Sequence, residues 1–329
     1  MHDVFFDQNF GRLQEGLGGG TCEVFKFHNH LGAIRHMFMK REIPIRINGE
    51  TYYDLVTPAA YGGPVITGCA RDYKWDLVYE FMLAFEEYCK ENRIVSEYVR
   101  FHPVAANAAD FSLCYETDYV CDTYGTNLKA FLDPVQEEFS QSSQQTIWRA
   151  LEAGVEYRVT AKPESLENFA NFYAQLVANG DADYGYFLEC GKLLKEQLVV
   201  VEALYKEQVI GMSLNFRSND VIHTHLSVTH PAFDYFSPAH IMHFGLALWG
   251  KENSVSLIHD GGWLVANSQT PDLSAFKKQF SKHTNFKLCT GRRIWDQEMY
   301  RKLCREKEIG YDAINFPAYR GVKKESCLN

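Results

Sequence analysis

Apolar side chains recur at helical spacing through residues 73–93, and short apolar runs lie on both sides of this segment. The recurring positions are Trp75, Val78, Phe81, Met82, Phe85, Tyr88 and Cys89. This spacing predicts a helix with one buried face. Before it, residues 21–27 and 34–43 predict a hairpin and residues 52–57 a third strand. After it, residues 95–101 predict a further strand.

The second half of the chain repeats this order of elements without repeating its sequence. Residues 198–204 and 209–216 predict a hairpin, residues 221–228 a strand, residues 237–250 a helix and residues 255–259 a last strand. A strand, a helix and a strand in succession imply a parallel crossover inside a mixed sheet. The predicted fold class is therefore α/β with mixed sheets, in two domains built on one plan.

Helical patterns separate the two copies, and three further elements follow them. The helical segments are residues 127–139, 143–153, 163–178 and 187–195, and the later elements are a helix at 273–280, a strand at 286–289 and a helix at 296–305. Gly154 stands where the end of a helix favours glycine. We therefore predict a domain boundary near Gly154.

Composition narrows the class of protein. The chain has 329 residues, of which 46% are hydrophobic and 23% charged, which is typical of a globular protein with about two domains. The formal net charge of −9 argues against a protein that coats DNA or other nucleic acid. No apolar run approaches the length of a membrane span, and the first residues do not resemble a signal peptide. Nine cysteines without a CxxC pair favour reduced thiols, so we expect a cytoplasmic protein.

Two common functional motifs are not supported. The glycines at 16–20 precede a predicted strand, whereas a phosphate-binding loop follows a strand and opens a helix. His28 with His30, and His223 with His225, have spacings that suit two zinc ligands. Neither pair has a third and fourth ligand at workable spacing, so we expect no metal and interpret these histidines as core or cleft residues.

Two strand ends carry candidate binding residues. Ser237 suits a helix N-cap and Pro238 the first helical position, where a strand leading into a helix creates a site for an anion or a developing oxyanion. An ordinary capped helix explains the same residues. Asp260, Gly261 and Gly262 end the next strand, and their glycines permit either close approach of a ligand or a simple turn.

A basic segment at residues 276–293 contrasts with the acidic chain around it. It holds Lys277, Lys278, Lys282, Lys287, Arg292 and Arg293, together with His283, and no acidic residue. A solvated basic surface is one interpretation of this pattern. The uneven placement of charge favours a phosphate-bearing ligand, for which Arg292 and Arg293 suit bidentate contacts.

With these residues located, the chain resembles the FemABX-like family, the Fem-type peptidyltransferases. The stretches that carry the resemblance are residues 52–58 with Tyr61-Gly62-Gly63-Pro64-Val65, then Val99-Arg100-Phe101-His102-Pro103, then residues 143–154 with Arg149-Ala150 and Ala153-Gly154, and last Asp260-Gly261-Gly262 with Phe276-Lys277-Lys278-Gln279-Phe280. Together they extend over most of the chain in the order that the family shows.

The resemblance implies two tandem GNAT-like acyltransferase domains. The first would comprise residues 1–154, with the C-terminal helix at about 295–329 packing back on it, and the second residues 155–294. The resemblance also places Lys277 near the reacting groups, with Phe276 beside it. It implies acceptor contacts near Gly62, Gly63 and His102.

Several positions depart from the pattern of this family. Tyr61-Gly62-Gly63-Pro64 stands where members that modify peptidoglycan precursors often have Pro-Arg-Gly-Pro, and His102 stands where they often have an acid. Residues 179–181 lack an expected arginine. The glycine-rich loop of acetyl-CoA enzymes is replaced by Phe236-Ser237-Pro238-Ala239. These departures leave both the acceptor and the donor open.

The sequence therefore predicts an acyltransferase or aminoacyltransferase that acts on an amine, for example in a cell-wall, peptidoglycan or other glycan precursor. No tightly bound cofactor is expected; the co-substrate would be acyl-CoA or aminoacyl-tRNA. The candidate catalytic residues are Lys277, His102 and Tyr61, with His225 as another possible base. The candidate substrate-binding residues are Phe276, Gly62, Gly63, Arg100, His225, Ser237, Asp260, Gly261, Gly262, Arg292 and Arg293. The alternative is a catalytically inactive GNAT-like protein that binds a glycan precursor or a protein partner.

Overall fold

A computed structural model describes residues 3–69, 71–177, 184–261, 271–311 and 315–321. The chain divides into two compact units. The first unit comprises Gln14–Cys121 and Lys287–Asn329, and the second comprises His2–Leu13 and Asp122–Phe286. Within the described residues, no helix is both long enough and apolar enough to cross a membrane.

In each half of the chain a hairpin and a further strand precede a long helix and a last strand, as the α/β pattern predicts. The described strands are β1 (Thr21–Asn29), β2 (Gly32–Glu42), β3 (Tyr53–Val56), β4 (Gly63–Cys69), β5 (Ile94–Arg100), β6 (Glu116–Asn127), β7 (Val155–Ala161), β8 (Leu198–Tyr205), β9 (Gln208–Ser218), β10 (Val221–Thr229), β11 (Leu257–His259) and β12 (Asn285–Ile294). The described helices are α1 (Gln8–Glu15), α2 (Lys74–Glu91), α3 (Asn107–Asp110), α4 (Pro134–Glu138), α5 (Gln141–Glu152), α6 (Glu167–Leu176), α7 (Tyr184–Leu193), α8 (Pro238–Glu252), α9 (Pro271–Lys278) and α10 (Gln297–Glu306).

The first unit is a mixed sheet in the order β1-β2-β3-β5-β12, with β4 paired to β2. β3 and β5 are parallel and α2 lies between them in sequence, so the predicted crossover is confirmed. α2 buries Leu77, Phe81 and Phe85, which recur every four residues and so form one stripe against the sheet. Trp75 was predicted on this face but is 54% exposed, because Leu77 occupies the buried position in the first turn.

The C-terminal helix α10 completes a second core in the first unit. Asp296 caps it by accepting a hydrogen bond from the Met299 amide at 2.9 Å. Met299, Tyr300 and Leu303 of α10 pack in one apolar cluster with Val95 of β5.

The second unit is a mixed sheet in the order β6-β11-β10-β9-β8-β7. β10 and β11 are parallel and are joined by α8, so this predicted crossover is also confirmed. α8 packs across β7, β8 and β9 and buries Ile241 and Leu246. β7, β4 and β6 lie in segments for which the hydrophobic pattern predicted no strand.

The compact units divide between Cys121 and Asp122, earlier than the boundary expected near Gly154. Gly154 does end α5, with φ of +88°, but α5 belongs to the second unit. Ile147 of α5 packs in the same core as Ile241 of α8, and this packing binds the helix to the second sheet. A helix end is therefore not a domain end here.

The first residues of the chain also belong to the second unit. Phe5 and Phe10 are buried, and their rings contact each other with centroids 5.1 Å apart. Phe5 meets the ring of His223 on β10, and Phe10 meets Phe216 on β9. The Val4 amide donates to the Ser218 hydroxyl at 2.6 Å, which fixes this segment at the C-terminal end of β9.

Candidate active site

A cleft opens where β10 and β11 stop pairing. The two parallel strands pair over only three positions, of which the last is His223 with His259. β10 then continues to Thr229, while β11 ends at His259. Beyond that point Thr224–Ser227 and Asp260–Gly261 line a cleft of about 290 Å³. Over these residues β10 and the chain after β11 no longer pair with each other.

A bulge in β10 contributes to this opening. The register of β10 against β9 shifts between Thr224 and Leu226, so His225 is the extra residue. Its Nε2 atom lies 2.6 Å from the hydroxyl oxygen of Tyr186 on α7. Burial lowers the pKa of His225 to about 4, so the ring is neutral at pH 7. His225 lines the cleft, but it is a weak base whose Nε2 atom already contacts the Tyr186 hydroxyl.

Asp260 is the titratable group in this cleft best suited to proton transfer. It is buried, and its Oδ2 atom has no hydrogen-bond partner among the described residues. Burial raises its pKa to about 8, and the nearby charge of Lys277 acts in the opposite direction. A carboxyl group that titrates near pH 8 exists in both forms under ordinary conditions, which is what acid–base catalysis requires. The sequence predicted Asp260 only as a binding residue.

Lys277 reaches the cleft from α9. Its Nζ atom donates to the Gly261 carbonyl at 3.2 Å, so α9 is connected to the end of β11. Phe276 and Phe280 flank it, with ring centroids 5.0 Å apart, and both line the cleft. The structure therefore brings together the predicted residues His225, Asp260, Gly261, Phe276 and Lys277. Gly262 lies outside the described residues.

Asn215 is a cleft residue that the sequence did not predict. Its Nδ2 atom donates to the Val199 carbonyl at 3.2 Å and to the Ser213 hydroxyl at 3.1 Å, which fixes the orientation of the amide. The buried Oδ1 atom has no partner among the described residues. It is an acceptor that suits an N–H or O–H donor on a ligand. The sequence did contain a signal for this residue, because Ser213 and Asn215 are polar positions that alternate with apolar ones in a predicted strand.

Ser237 occupies the predicted N-cap position of α8, but the predicted capping hydrogen bond from its side chain is wrong. α8 does begin at Pro238, but Ser237 has φ of 49° and ψ of 53°, and its side chain makes no capping hydrogen bond. A 3₁₀ helix at Pro231–Phe236 precedes it, so its backbone is left-handed and not extended as an N-cap requires. Ser237 is absent from the described lining of the cleft.

A separate set of predicted residues meets in the first unit around Asn107. The Asn107 Nδ2 atom donates to the carbonyls of Gly62 and Pro64, both at 2.9 Å, and its Oδ1 atom accepts from the His102 amide at 2.8 Å. The Gly62 amide donates to the Arg100 carbonyl at 2.9 Å, which continues the sheet past β3.

Tyr61 and Gly63 complete this set. The rings of Tyr61 and His102 meet edge to face, with centroids 5.8 Å apart. Gly63 has φ of +83°, and a Cβ atom there would lie 2.7 Å from a methyl group of Val99, so only glycine fits. Burial lowers the pKa of the Arg100 guanidinium. The Ala105 amide donates to Nδ1 of His102 at 3.1 Å, which places the ring proton of neutral His102 on Nε2.

The basic segment does not form one surface within a single unit. Residues up to Phe286 belong to the second unit, and Lys287 begins the last part of the first. Arg292 makes a bidentate contact with Glu116, at 3.0 and 3.1 Å, and a further ion pair with Asp118. The Arg293 guanidinium lies over the Trp295 ring at 5.1 Å. The guanidinium group of Arg292, which was predicted to bind phosphate, thus binds the Glu116 carboxylate instead.

Comparison with known proteins identifies the fold. Residues 141–262, which include β10, α8 and β11, match a family described as an acetyltransferase (GNAT) domain. None of the curated proteins matches the chain in sequence. This part of the second unit is therefore similar to a GNAT domain, which is the fold that the sequence predicted.

Three solved structures extend the likeness over nearly the whole chain. FemX is 12% identical with a TM-score of 0.66, and the match covers 91% of this chain and 94% of FemX. The C-terminal domain of a putative lysylphosphatidylglycerol synthetase from Agrobacterium fabrum is 11% identical with a TM-score of 0.54, covering 91% and 89%. L-PGS from Bacillus licheniformis is 13% identical with a TM-score of 0.51, covering 87% and 91%. At these identities the likeness concerns the fold, and it confirms the predicted α/β class of GNAT type.

Proposed function

We propose that the protein is an acyltransferase that moves an acyl or aminoacyl group from an activated donor to an amine. The observation that carries this proposal is the cleft between β10 and β11, in which buried Asp260 and the Lys277 ammonium stand together. The GNAT domain over residues 141–262 supports the reaction class.

In the proposed reaction the amine nitrogen attacks the carbonyl carbon of the donor. A C–N bond forms, and the carbonyl oxygen takes up negative charge. The C–S bond of a thioester or the C–O bond of an aminoacyl ester breaks as the intermediate collapses. The amine loses one proton and the leaving sulfur or oxygen gains one, so the reaction needs no oxidant or reductant.

The residues of the cleft have distinct roles in this scheme. The Lys277 ammonium and the backbone N–H at the His225 bulge stabilise the oxyanion. Asp260, protonated at neutral pH, gives its proton to the leaving group, and the proton of the amine then restores the acid. Asn215 Oδ1 accepts a hydrogen bond from the amine and orients its lone pair.

The donor in this proposal carries phosphate, as acyl-CoA and aminoacyl-tRNA both do. Lys277, Lys278 and Lys282 lie on α9 or just after it and supply positive charge in the second unit. One similar structure is named for lysylphosphatidylglycerol synthesis and another is FemX, which supports keeping an aminoacyl donor and a cell-envelope acceptor in the proposal. We place the reaction in the cytoplasm, in keeping with the free thiols of buried Cys89, Cys114 and Cys190.

The test combines binding with turnover. Thermal-shift measurements with acetyl-CoA, longer acyl-CoAs and aminoacyl-tRNA identify the donor, since a ligand at about 100 times its Kd stabilises by about 2.7 kcal/mol. Mass spectrometry of a panel of amines then detects transfer by the wild type and by Asp260→Asn. Transfer by the wild type that Asp260→Asn loses supports the proposal, and equal transfer by both contradicts the role of the cleft.

A second candidate is a GNAT-like protein that binds a glycan precursor or a protein partner without turnover. The observation that favours it is the 3₁₀ helix Pro231–Phe236 followed by left-handed Ser237, which stands where acetyl-CoA enzymes have a glycine-rich loop. Binding of a nucleotide-linked sugar, with no stabilisation by any acyl donor, supports this candidate over the first.

A further inference from the structure

Behind the cleft, the hydroxyl group of Thr126 on β6 joins two buried groups. It donates to the Phe280 carbonyl at 2.8 Å, and its oxygen lies 3.0 Å from Nε2 of His243 on α8. Thr126 is fully buried and His243 is 8% exposed. A hydroxyl group has one proton, and a carbonyl can only accept. Since that proton is used toward Phe280, Thr126 must accept a hydrogen bond from N–H at Nε2 of His243.

This hydrogen bond determines where the imidazole carries its proton. Burial, together with the neighbouring His240, lowers the pKa of His243 to about 3, so the ring is neutral and has a single N–H. With that N–H at Nε2, Nδ1 presents a lone pair. The Phe280 ring stacks on the imidazole with centroids 4.2 Å apart, which restrains its orientation.

The lone pair of His243 faces the carboxyl group of Asp260. Nδ1 lies 3.5 Å from Oδ1. A carboxylate in this position places a negative oxygen against a lone pair, whereas a carboxylic acid directs its proton toward Nδ1. The titratable groups around Asp260 are Lys277 on α9, His243 on α8 with His240 one turn away, His225 on β10 and His259 on its own strand. Of these, Lys277 favours the carboxylate, while burial opposes it.

We propose that Thr126 and His243 form a positioning pair that keeps the carboxyl group of Asp260 protonated in the cleft at neutral pH. This inference rests on the acyl-transfer function proposed above, to which it adds two residues that act through Asp260: Thr126 behind the cleft and His243 in its wall. In the reaction, the O–H of Asp260 passes its proton to the leaving sulfur or oxygen as the bond to carbon breaks. The carboxylate then takes the proton that the attacking amine loses, and Nδ1 of His243 again faces a neutral acid.

The direct test measures both proton positions in the wild-type chain. Carbon NMR of protein labelled at the aspartate side-chain carboxyls, with Asp260→Asn for assignment, gives the titration midpoint of Asp260. Nitrogen NMR of histidine-labelled protein, with His243→Gln for assignment, gives the tautomer of His243. We expect a midpoint near pH 8 and a proton on Nε2. A midpoint below about pH 5, or a proton on Nδ1, overturns the proposal.

Two substitutions at Thr126 separate positioning from packing. Thr126→Val keeps the shape but removes the acceptor, so the imidazole can move its proton to Nδ1 and donate to the Asp260 carboxylate. The midpoint of Asp260, and with it the high-pH limb of turnover, should fall by about one unit or more. Thr126→Ser keeps the hydroxyl and should retain the wild-type midpoint. An unchanged midpoint in Thr126→Val overturns the proposal, and the wild-type measurements decide it even if that variant does not fold.

The same data distinguish the positioning pair from the proposed function. If Asp260 and His243 behave as expected but the protein transfers no acyl group, the positioning pair stands and the function fails. If the protein transfers acyl groups while Asp260 titrates below about pH 5, the function stands and the positioning pair fails.

Discussion

Gly245 of α8 lies directly against the ring of Tyr157 on β7. A Cβ atom at residue 245 would lie 2.5 Å from Cδ2 of that ring, closer than real contacts permit. The close packing of α8 on β7 therefore depends on the absence of a side chain at residue 245.

The first prediction concerns this contact. Gly245→Ala should destabilise the protein by about 1–3 kcal/mol, because either the helix or the buried part of Tyr157 must move. The control is Gly191→Ala on α7, where an added Cβ meets nothing within 4 Å. That change should stabilise by about 0.5–1 kcal/mol through helix propensity. Urea denaturation measures the free energy of unfolding of both variants. Equal changes in this free energy would contradict the close contact between α8 and Tyr157.

The second prediction assigns Lys277 to chemistry and not to stability. Lys277→Ala should lower turnover by roughly 100-fold, since it removes a charge directed at the developing oxyanion. Its melting temperature should stay close to that of the wild type, because the lysine is only half-buried. Lys192→Ala, which removes an exposed lysine of α7 that pairs with Glu189 one turn away, is the control and should retain turnover.

The pH profile of Lys277→Ala provides a separate measurement. The charge of Lys277 lowers the pKa of Asp260, so its removal should raise that pKa above about 8. If Asp260 acts as the acid, the high-pH limb of the residual activity moves to higher pH. A limb that stays in place would show that the two side chains are not coupled in the reaction.

The third prediction concerns stability and pH. The pKa of Asp260 rises from 3.8 to about 8 on folding, so the folded state binds this proton more tightly than the unfolded state. The resulting stabilisation is complete below pH 3.8 and is lost as the pH rises to about 8. The Asp260→Asn variant has no carboxyl group at this position, so this pH-dependent change in stability is absent from it. The free energy of unfolding of the wild type should therefore fall relative to that of the variant between pH 4.5 and 8.5, and a constant difference would refute the raised pKa.

The fourth prediction tests the hydrogen bonds around Asn107. Asn107→Ala leaves the carbonyls of Gly62 and Pro64 and the amide of His102 without their present partner. Buried polar groups that lose a partner are costly, so we expect a loss of roughly 2–4 kcal/mol in thermal or urea unfolding. Asn253→Ala, at the exposed end of α8, removes one side-chain bond to the Trp249 carbonyl and should cost much less.

Local pattern was sufficient for much of the fold. α2 and α8 carry long apolar faces, and the strands around them are short and apolar, so the sequence predicts both crossovers. β7 was missed although Val155, Tyr157 and Val159 alternate with polar residues, because the segment was interpreted as the link between two domains. The division at Cys121 depends on which core α5 joins, and that is decided by packing against α8 and not by local propensity.

The candidate site was only partly predictable for a related reason. Asp260, Phe276 and Lys277 lie in stretches that resemble a known family, so the resemblance nominated them. Thr126 and His243 are 117 residues apart, and nothing in their local sequence indicates a contact. The raised pKa of Asp260 results from burial, which appears only when the sheet and both helices are assembled.

The placement of Phe5 and Phe10 in the second unit has a consequence for synthesis on the ribosome. The Val4 amide bonds to Ser218, which is made 214 residues later. At 5–20 residues per second, the leading segment waits on the order of ten to forty seconds before its partners β9 and β10 emerge. During that interval two aromatic side chains that end in a core are exposed to solvent and to chaperones. The core of the second unit is therefore completed by a segment that is made well before the strands on which it packs, and a variant in which Phe5 and Phe10 are replaced by Ala should fold less completely as it is made.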